Sequence, residues 1–267
     1  MDRVRPSLID IGANLTHDSF DDDRDAVVQR ARDAGVEAFI LTGSSQAGSQ
    51  QALGLARSAP DMFRSTAGVH PHHASEYNDA VDETLRDLAT DSLVSAVGEC
   101  GLDYFRNFSP ADDQRMAFRR QLDIAVDVQK PVFLHQRDAH EDFVDLLTPY
   151  VERIPDGVAH CFTGTGDMLD AYIELGLYIG ITGWICDERR GLHLREIVGR
   201  IPSDRLMIET DAPYLLPRTL RPKPKTRRNE PVHLVEVLRV VAEARGETDV
   251  ELAAQTTANA RRFFRLD

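Results

Sequence analysis

The chain has 267 residues, of which 42% are hydrophobic and 28% are charged, and this composition is that of an ordinary globular protein. A chain of this length accommodates one α/β barrel, for which about 250 residues is typical, or two smaller domains. The net charge of −13 excludes a generally basic nucleic-acid-binding coat, and three cysteines without a C-x-x-C spacing argue against a disulfide framework.

Helical and strand-like patterns alternate along the chain. Apolar residues recur with helical spacing at Val27, Ala31 and Ala34, and again within residues 118–126 and 234–242. Between such stretches lie eight short β-rich segments, at residues 8–11, 38–42, 63–69, 93–97, 132–134, 158–160, 178–181 and 206–208. This alternation predicts a parallel sheet covered by helices on both faces. At this length, eight such units favour a closed (β/α)8 TIM barrel of the α/β class over an open doubly wound sheet.

The ends of the chain and its apolar segments bear on domain count and location. Residues 1–6 contain no apolar core of the kind that a secretory signal needs. The longest weakly polar stretch, residues 175–186, is too short to cross a bilayer. Because no linker-like stretch divides the chain, we predict one domain over residues 1–267, located in the cytoplasm and without a membrane partner.

Six of the apolar segments end in an ionisable or amide side chain. These segments cover residues 10–14, 67–72, 94–103, 131–135, 157–160 and 206–211. A carboxylate or imidazole at the end of a buried strand is costly unless it is paired or bound to a metal. In a (β/α)8 barrel the chemistry lies at the carboxyl ends of the strands. Six such ends therefore predict one metal site.

The side chains at these ends are of two types that bind divalent cations. The strongest candidates form a mixed carboxylate–imidazole set: Glu99, His135, His160 and Asp211. Such a set suits zinc or manganese, and Mg²⁺ also fits when water and a substrate phosphate complete its coordination. Four further residues are candidates as ligands or as partners of ligands: Asp10, Asn14, His70 and His72. Each residue alone has an ordinary structural explanation, but four at one end of one barrel favour the metal site.

A basic stretch follows the last candidate ligand directly. Residues 218–228 place six cations within eleven residues, and their prolines forbid a helix. Proteins that bind single strands combine cations that follow the backbone with aromatic side chains on which bases stack. The predicted phosphate contacts are Arg221, Lys223, Lys225, Arg227 and Arg228. The predicted stacking residues are Trp184, Tyr104, Phe105 and Tyr214.

Five motifs resemble the signatures of the TatD family of metal-dependent deoxyribonucleases. They occupy residues 68–72, 98–103, 135–138, 160–164 and 209–215. The resemblance extends from Asp10 to about Asn259, which is nearly the whole chain. It is particularly close to the magnesium-dependent 3′–5′ exonucleases of the family, which degrade single-stranded DNA and RNA. The resemblance therefore implies a barrel of the metal-dependent hydrolase type.

The resemblance also implies an activity and roles for individual residues. The activity is hydrolysis of phosphodiester bonds in single-stranded DNA and RNA, with Mg²⁺ as cofactor or else Mn²⁺ or Zn²⁺, in DNA repair and nucleic-acid turnover. The implied metal ligands are Glu99, His135 and His160. Asp211 is the implied catalytic acidic residue. From the chemistry of the reaction and not from the resemblance, we expect Asp211 to be a further ligand, and His70 and His72 to hold the phosphate or protonate the leaving oxygen. Asn14 is expected to contact the substrate, and we expect a monomer.

The chain departs from the wider family at its first strand. Many relatives begin Asp-x-His-x-His and bind a metal with both histidines, whereas Gly12 and Asn14 stand at those positions here. Glycine has no side chain to offer, and an amide oxygen is a weak ligand. The sequence therefore predicts one tightly held ion, with a second that arrives with the substrate phosphate.

Two other functions remain open on the sequence alone. The first is metal-dependent hydrolysis of another ester or an amide on the same barrel, because one fold hosts many chemistries. The basic stretch beside Asp211 instead favours a polyanionic substrate. The second is a binding or scaffold protein that has lost its metal, which would explain the missing histidine pair. Against it, all four residues of the carboxylate–imidazole set are present.

Overall fold

The computed structural model describes residues 7–266, in which eight strands alternate with nine α-helices. The strands are β1 (Leu8–Ala13), β2 (Val36–Leu41), β3 (Phe63–Ala67), β4 (Val94–Asp103), β5 (Val132–Arg137), β6 (Gly157–Ala159), β7 (Tyr178–Ile181) and β8 (Leu206–Ile208). The helices are α1 (Arg24–Ala34), α2 (Gln46–Ser58), α3 (Asp79–Thr90), α4 (Ala111–Val128), α5 (His140–Leu147), α6 (Gly166–Glu174), α7 (Leu192–Ile197), α8 (Leu234–Arg245) and α9 (Asp249–Phe264).

All eight strands belong to one sheet, in which they follow one another in chain order from β1 to β8. The pairs β3–β4, β4–β5, β5–β6 and β7–β8 are parallel. Each strand is followed by at least one helix before the next begins. This order and this alternation define the (β/α)8 barrel, so the predicted fold class is confirmed.

The described residues group into two compact units. The first contains residues 7–40 and 179–266, and among its largest fully buried side chains are Phe20, Phe39 and Phe263. The second is Leu41–Tyr178, where the buried rings of Phe118 and Phe143 stack with their centroids 5.6 Å apart. Each unit thus contains its own buried apolar side chains. The single domain over residues 1–267 stays a prediction.

Local signals account for several helix boundaries. Helix α1 ends where Gly35 adopts a left-handed conformation with φ 107°, as its position after the apolar stripe predicts. Helix α2 begins after Ser45, whose hydroxyl accepts the backbone N–H of Gly48. Helix α9 begins with a reciprocal capping box between Thr248 and Glu251.

Strand β4 differs from its sequence prediction. It continues to Asp103, whereas the apolar run predicts an end at residue 97, and Glu99 consequently lies inside the strand and not at its tip. Gly98 and Gly101 carry the strand onward with φ of 135° and 145°. An added Cβ would lie 2.2 Å from the Phe133 carbonyl oxygen at Gly98, and even closer to the next strand at Gly101. Only glycine permits this close approach of β4 to β5.

Two sequence predictions concern the chain ends and the membrane. The absence of a secretory signal in residues 1–6 concerns a segment outside the described residues. Across residues 7–266, no helix combines the length and the apolar character that a membrane span requires.

Candidate metal centre

Four neighbouring strands of the second unit bring imidazoles and a carboxylate together. His70 follows β3, Glu99 lies within β4, His135 lies in β5 and His160 follows β6. Because these strands pair in parallel and in this order, side chains in the carboxyl-terminal parts of the strands and just after them are neighbours. We call His70, Glu99, His135 and His160 the metal cluster.

Glu99 is the centre of the metal cluster. Its Oε1 lies 2.9 Å from Nδ1 of His135, 3.1 Å from Nε2 of His160 and 3.4 Å from Nε2 of His70. Burial of Glu99 by itself raises the pKa of this carboxyl group. Electrostatic interactions with the rings of His70 and His160 and the hydrogen bonds from His135 and His160 outweigh burial and lower the pKa well below its usual range. Glu99 is therefore a buried carboxylate surrounded by three imidazoles.

His70 is held in one tautomer. Its Nδ1 accepts the backbone N–H of His72 at 3.1 Å and so caps the short 3-10 helix Pro71–Glu76. Burial lowers the pKa of His70 well below its usual value, so the ring is neutral. A neutral ring that accepts at Nδ1 carries its proton on Nε2, the atom that faces Glu99. This proton favours a role in orienting Glu99 over ligation of a metal.

Asp103 joins two histidines, a role that the sequence analysis did not assign. Its Oδ2 lies 2.8 Å from Nε2 of His72 and 3.5 Å from Nε2 of His135. Burial raises the pKa of Asp103, but the nearby His135 ring and the hydrogen bonds from the backbone N–H of Arg106 and from His72 lower it below its usual value. The signal was present in the sequence, because Asp103 ends the same motif that contains Glu99.

The donor atoms of the metal cluster fit a divalent cation. His70, Glu99 and His135 each offer one nitrogen or oxygen atom, these atoms all lie within 4.8 Å of one another, and His160 Nε2 also contacts Glu99. Nε2 of His135 is buried and makes no hydrogen bond to the described residues, although Asp103 lies 3.5 Å away. A buried polar atom without a hydrogen bond is costly, and a cation would satisfy it.

In the first unit, the segment after β8 is fixed against the end of β1. The backbone N–H of Asp211 donates to Gly12 O, and that of Asn14 donates to Ala212 O, both at 2.8 Å. The Asn14 amide donates to Oδ1 of Asp211 at 3.1 Å. Asp211 has a left-handed backbone with φ 54°, which aspartate and asparagine tolerate better than most residues. Asn14 therefore positions the Asp211 carboxylate.

Asp10 anchors the residue that precedes Asp211. It is fully buried in β1, where Oδ1 accepts the backbone N–H groups of Thr210 at 2.9 Å and of Gly12 at 3.3 Å. Its Oδ2 accepts the Thr210 hydroxyl. Burial raises the pKa of Asp10 to about 7, although the hydrogen bonds from Thr210 and Gly12 act in the opposite direction. Asp10 is thus the buried support of the Asp211 segment.

We expect Asp10→Asn to change how stability depends on pH. The folded pKa of about 7 lies above the usual 3.8, so folding takes up a proton between these values and wild-type stability falls as the pH rises through them. Asparagine cannot ionise, and it keeps an oxygen for the Thr210 N–H. Relative to wild type, the variant should gain up to about 4 kcal/mol between pH 4 and pH 8. Urea unfolding at several pH values measures this difference, and parallel curves for the two proteins would contradict it.

The basic stretch 218–228 is anchored at both ends. Arg218 forms a bidentate ion pair with Glu188 at 2.6 and 2.9 Å, and Arg228 forms one with Asp23 at 2.8 Å. These two guanidinium groups are therefore already paired with carboxylates. Arg228 is itself a predicted phosphate contact. Between the anchors lie the other four predicted contacts, all of them exposed: Arg221, Lys223, Lys225 and Arg227.

Trp184 follows β7 and is half-buried. Its indole Nε1 donates to the Arg190 carbonyl oxygen at 3.3 Å. The Arg190 guanidinium lies 4.2 Å from the centroid of the Trp184 ring, in a cation–π contact. Arg190 therefore covers part of the ring that the sequence predicts to stack on a base.

Comparison with known proteins finds one matching family and similar proteins of bacteria. The family model described as TatD related DNase matches residues 9–265. A protein of Pectobacterium carotovorum named 3′–5′ ssDNA/RNA exonuclease TatD is 54% identical over 259 residues, which are 97% of this chain and 100% of that protein. A protein of the same name from Dickeya dadantii is 55% identical over 258 residues, covering 97% of this chain and 98% of that protein.

Solved structures give the same fold. A TatD homologue from Escherichia coli matches with a TM-score of 0.88 and 28% identity, covering 97% of this chain and 98% of that chain. A TatD family hydrolase from Entamoeba histolytica matches with a TM-score of 0.89 and 26% identity, covering 99% and 100%. These likenesses extend over the whole barrel.

Proposed function

Because this chain belongs to the family of TatD-related DNases, we propose that it is a metal-dependent 3′–5′ exonuclease of single-stranded DNA and RNA. The observation that carries the proposal is the metal cluster, in which the buried Glu99 carboxylate contacts three imidazoles. The names of the similar proteins support the substrate class and the direction of digestion.

We assign Glu99, His135 and His160 as ligands of one tightly held divalent cation. His70 carries a proton on the nitrogen that faces Glu99, so we assign it to positioning this carboxylate. A bound cation lowers the pKa of water and neutralises charge that develops on phosphate oxygens. The family resemblance favours Mg²⁺, whereas two imidazole ligands suit Mn²⁺ or Zn²⁺. Thermal-shift titration with each ion distinguishes them.

We assign proton transfer and phosphate binding to Asp211 and His72. We propose that Asp211 accepts a proton from the attacking water, a role typically worth about 10²–10⁴-fold in rate, and that it is a further metal ligand. Asn14 supports this role through its hydrogen bond to Asp211. Nε2 of His72 is held by Asp103 at 2.8 Å, so a protonated His72 would donate from Nδ1 to a phosphate or to the leaving oxygen.

The substrate strand would extend along the exposed part of the basic stretch. Arg221, Lys223 and Lys225 are proposed to contact phosphates, and Trp184 is proposed to stack on a base with the part of its ring that Arg190 leaves uncovered. Arg218 and Arg228 contribute less, because Glu188 and Asp23 already neutralise them.

We expect the double variant Lys223→Ala/Lys225→Ala to flatten the salt dependence of single-strand binding. Each phosphate contact contributes about −0.7 to the slope of log K against log salt, so the slope should flatten by roughly one unit. Binding of all sequences should weaken similarly. Arg32→Ala/Arg119→Ala removes the same charge from exposed positions on α1 and α4 and serves as the control. Equal slopes for the two double variants would exclude the phosphate contacts.

Digestion of end-labelled oligonucleotides tests the proposed function directly. We expect release of mononucleotides from the 3′ end of single strands in Mg²⁺, Mn²⁺ or Zn²⁺, slower digestion of duplexes, and no digestion in EDTA. Glu99→Gln, purified in the same way, excludes a contaminating nuclease. Cleavage of carboxylic esters or amides without cleavage of oligonucleotides would instead favour the alternative hydrolase. Failure to bind any of the three ions would favour a scaffold.

We further propose that the protein acts as a monomer in the cytoplasm and serves DNA repair and nucleic-acid turnover. The family resemblance supports the location and the repair role. Sedimentation velocity at micromolar concentration tests the monomer, fractionation tests the location, and survival of a deletion strain after DNA damage tests the repair role.

A further inference from the structure

The loop between β4 and α4 carries two exposed phenyl side chains. Within residues 104–110, Phe105 is 54% exposed and Phe108 is 67% exposed. A single exposed apolar side chain is common and needs no explanation. This loop has two exposed phenyl side chains, and it directly follows Asp103, whose carboxylate holds His72. Such a pair beside the site calls for an explanation.

Polar contacts fix the backbone of this loop. The Gln114 amide donates to the carbonyl oxygens of Asp103 at 3.1 Å and Ser109 at 2.8 Å. The backbone N–H of Arg106 donates to Oδ1 of Asp103 at 2.8 Å, and the Ser109 hydroxyl donates to His72 O at 3.0 Å. The loop therefore holds the phenyl groups at the surface, where they cannot collapse into the apolar core.

Phe108 extends a row of rings that begins in the metal cluster. The ring centroids of His135 and His70 are 4.3 Å apart, and those of His70 and His72 are 4.2 Å apart. The Phe108 ring follows at 4.7 Å from that of His72. The most exposed ring in this row is thus adjacent to the histidine that we propose contacts the substrate phosphate.

Phe105 combines an aromatic ring with cations. The Arg137 guanidinium lies 3.9 Å from its ring centroid, and that of Arg106 lies 5.7 Å away. Aromatic rings beside cations are the combination with which proteins bind unpaired strands. Tyr104 differs, because its hydroxyl donates to Asp142 at 2.6 Å and accepts from Arg115 at 3.1 Å. These bonds tie Tyr104 to the scaffold and make it a poor stacking residue.

We propose that Phe108 and Phe105 form a stacking subsite for unpaired bases of the substrate strand. Phe108 would stack on the base nearest the scissile phosphate. Phe105 would stack on a neighbouring base with the part of its ring that Arg137 leaves uncovered, while Arg137 or Arg106 attracts the phosphate of that base. The inference rests on the proposed function and adds a physical reason for the single-strand requirement. A base that is paired and stacked in a duplex presents no free face to a phenyl ring.

Abasic substrates test the subsite. Binding of a fluorescent single strand is compared with binding of the same strand in which the three 3′-terminal bases are removed, and both are measured in EDTA. A base–aromatic stack is worth about 1–3 kcal/mol, so Phe108→Ala should weaken binding of the normal strand by roughly 5- to 150-fold. Binding of the abasic strand should hardly change. Phe108→Trp should retain normal binding, and Phe105→Ala should show the same selectivity as Phe108→Ala.

Val250→Ala is the matched control, because Val250 is an apolar side chain on α9 that is 65% exposed. If Phe108→Ala weakened binding of the normal and the abasic strand equally, Phe108 would only stabilise the loop, and the proposed subsite would be wrong. If Phe108→Ala and Phe105→Ala both bound the normal strand as wild type does, the stacking subsite would also be wrong, but the proposed nuclease activity would not be affected. If wild type neither bound nor digested single strands, the proposed function would fail with it.

Discussion

Glu99→Gln is expected to abolish tight metal binding and to lower exonuclease turnover by roughly 10³-fold or more. The Glu99 carboxylate is the only anion that contacts all three imidazoles of the metal cluster among the described contacts, and an amide removes its charge without changing its shape. Metal ions contribute several kcal/mol to hydrolysis, and each 1.36 kcal/mol is tenfold in rate. The barrel should stay folded, because the substitution is isosteric.

Thermal shift separates metal binding from folding in this experiment. Wild type should gain stability on addition of the ion, by about 2.7 kcal/mol at a hundredfold excess over its Kd, and Glu99→Gln should not. Glu76→Gln is the matched control, because Glu76 also pairs with a histidine, His73, at 3.3 Å but at the surface. A Glu99→Gln protein that kept wild-type turnover at limiting metal would remove Glu99 from the ligands. His135→Ala and His160→Ala test the other two ligands in the same way.

Asp211→Asn is expected to lower kcat by about 10²–10⁴-fold while changing oligonucleotide affinity only a few-fold. The amide keeps the shape of the side chain but cannot accept a proton from water. Asparagine adopts the left-handed backbone of this position as readily as aspartate does, so the variant should fold without added strain. Single-turnover rates and binding in EDTA measure the two effects separately.

Asp204→Asn is the control for this substitution, since Asp204 is exposed in the loop before β8. It should leave both kcat and affinity unchanged. Losses of equal size in rate and affinity for Asp211→Asn would show that Asp211 mainly holds the metal or the substrate. Asn14→Ala should lower kcat in the same direction but by less, because it keeps the Asp211 carboxylate and removes the Asn14 hydrogen bonds to Asp211 and to the Ala212 carbonyl oxygen.

Local sequence is sufficient for elements whose pattern depends on neighbours along the chain. The apolar stripe of α1 and the glycine after it predict where that helix ends, and Gly35 has the required left-handed conformation. The short β-rich runs likewise predict β7 and β8 with the bounds that the structure has. The periods of helices and strands follow from backbone geometry, so they can be recognised in the sequence alone.

Strand boundaries that depend on contacts with neighbouring strands cannot be predicted from the local sequence. The apolar pattern stops before Gly98, and glycine ordinarily weakens a strand. β4 nevertheless continues to Asp103, because Gly98 and Gly101 allow its backbone to approach β5. The reason for both glycines lies in another segment of the chain, more than thirty residues away.

The sequence by itself determined the (β/α)8 class, the family and the residue types from which a metal site could be built. Only the tertiary structure decided how these residues are used: His70 carries its proton towards Glu99, Asp103 joins His72 to His135, and Phe108 lies against His72. It also decided that Arg218 and Arg228 are already paired with carboxylates, which their place in a basic stretch does not reveal. The physical reason is range. Periodicity is a local property of the backbone, whereas protonation and ion pairing depend on atoms that the fold brings within about 3–4 Å from distant parts of the chain.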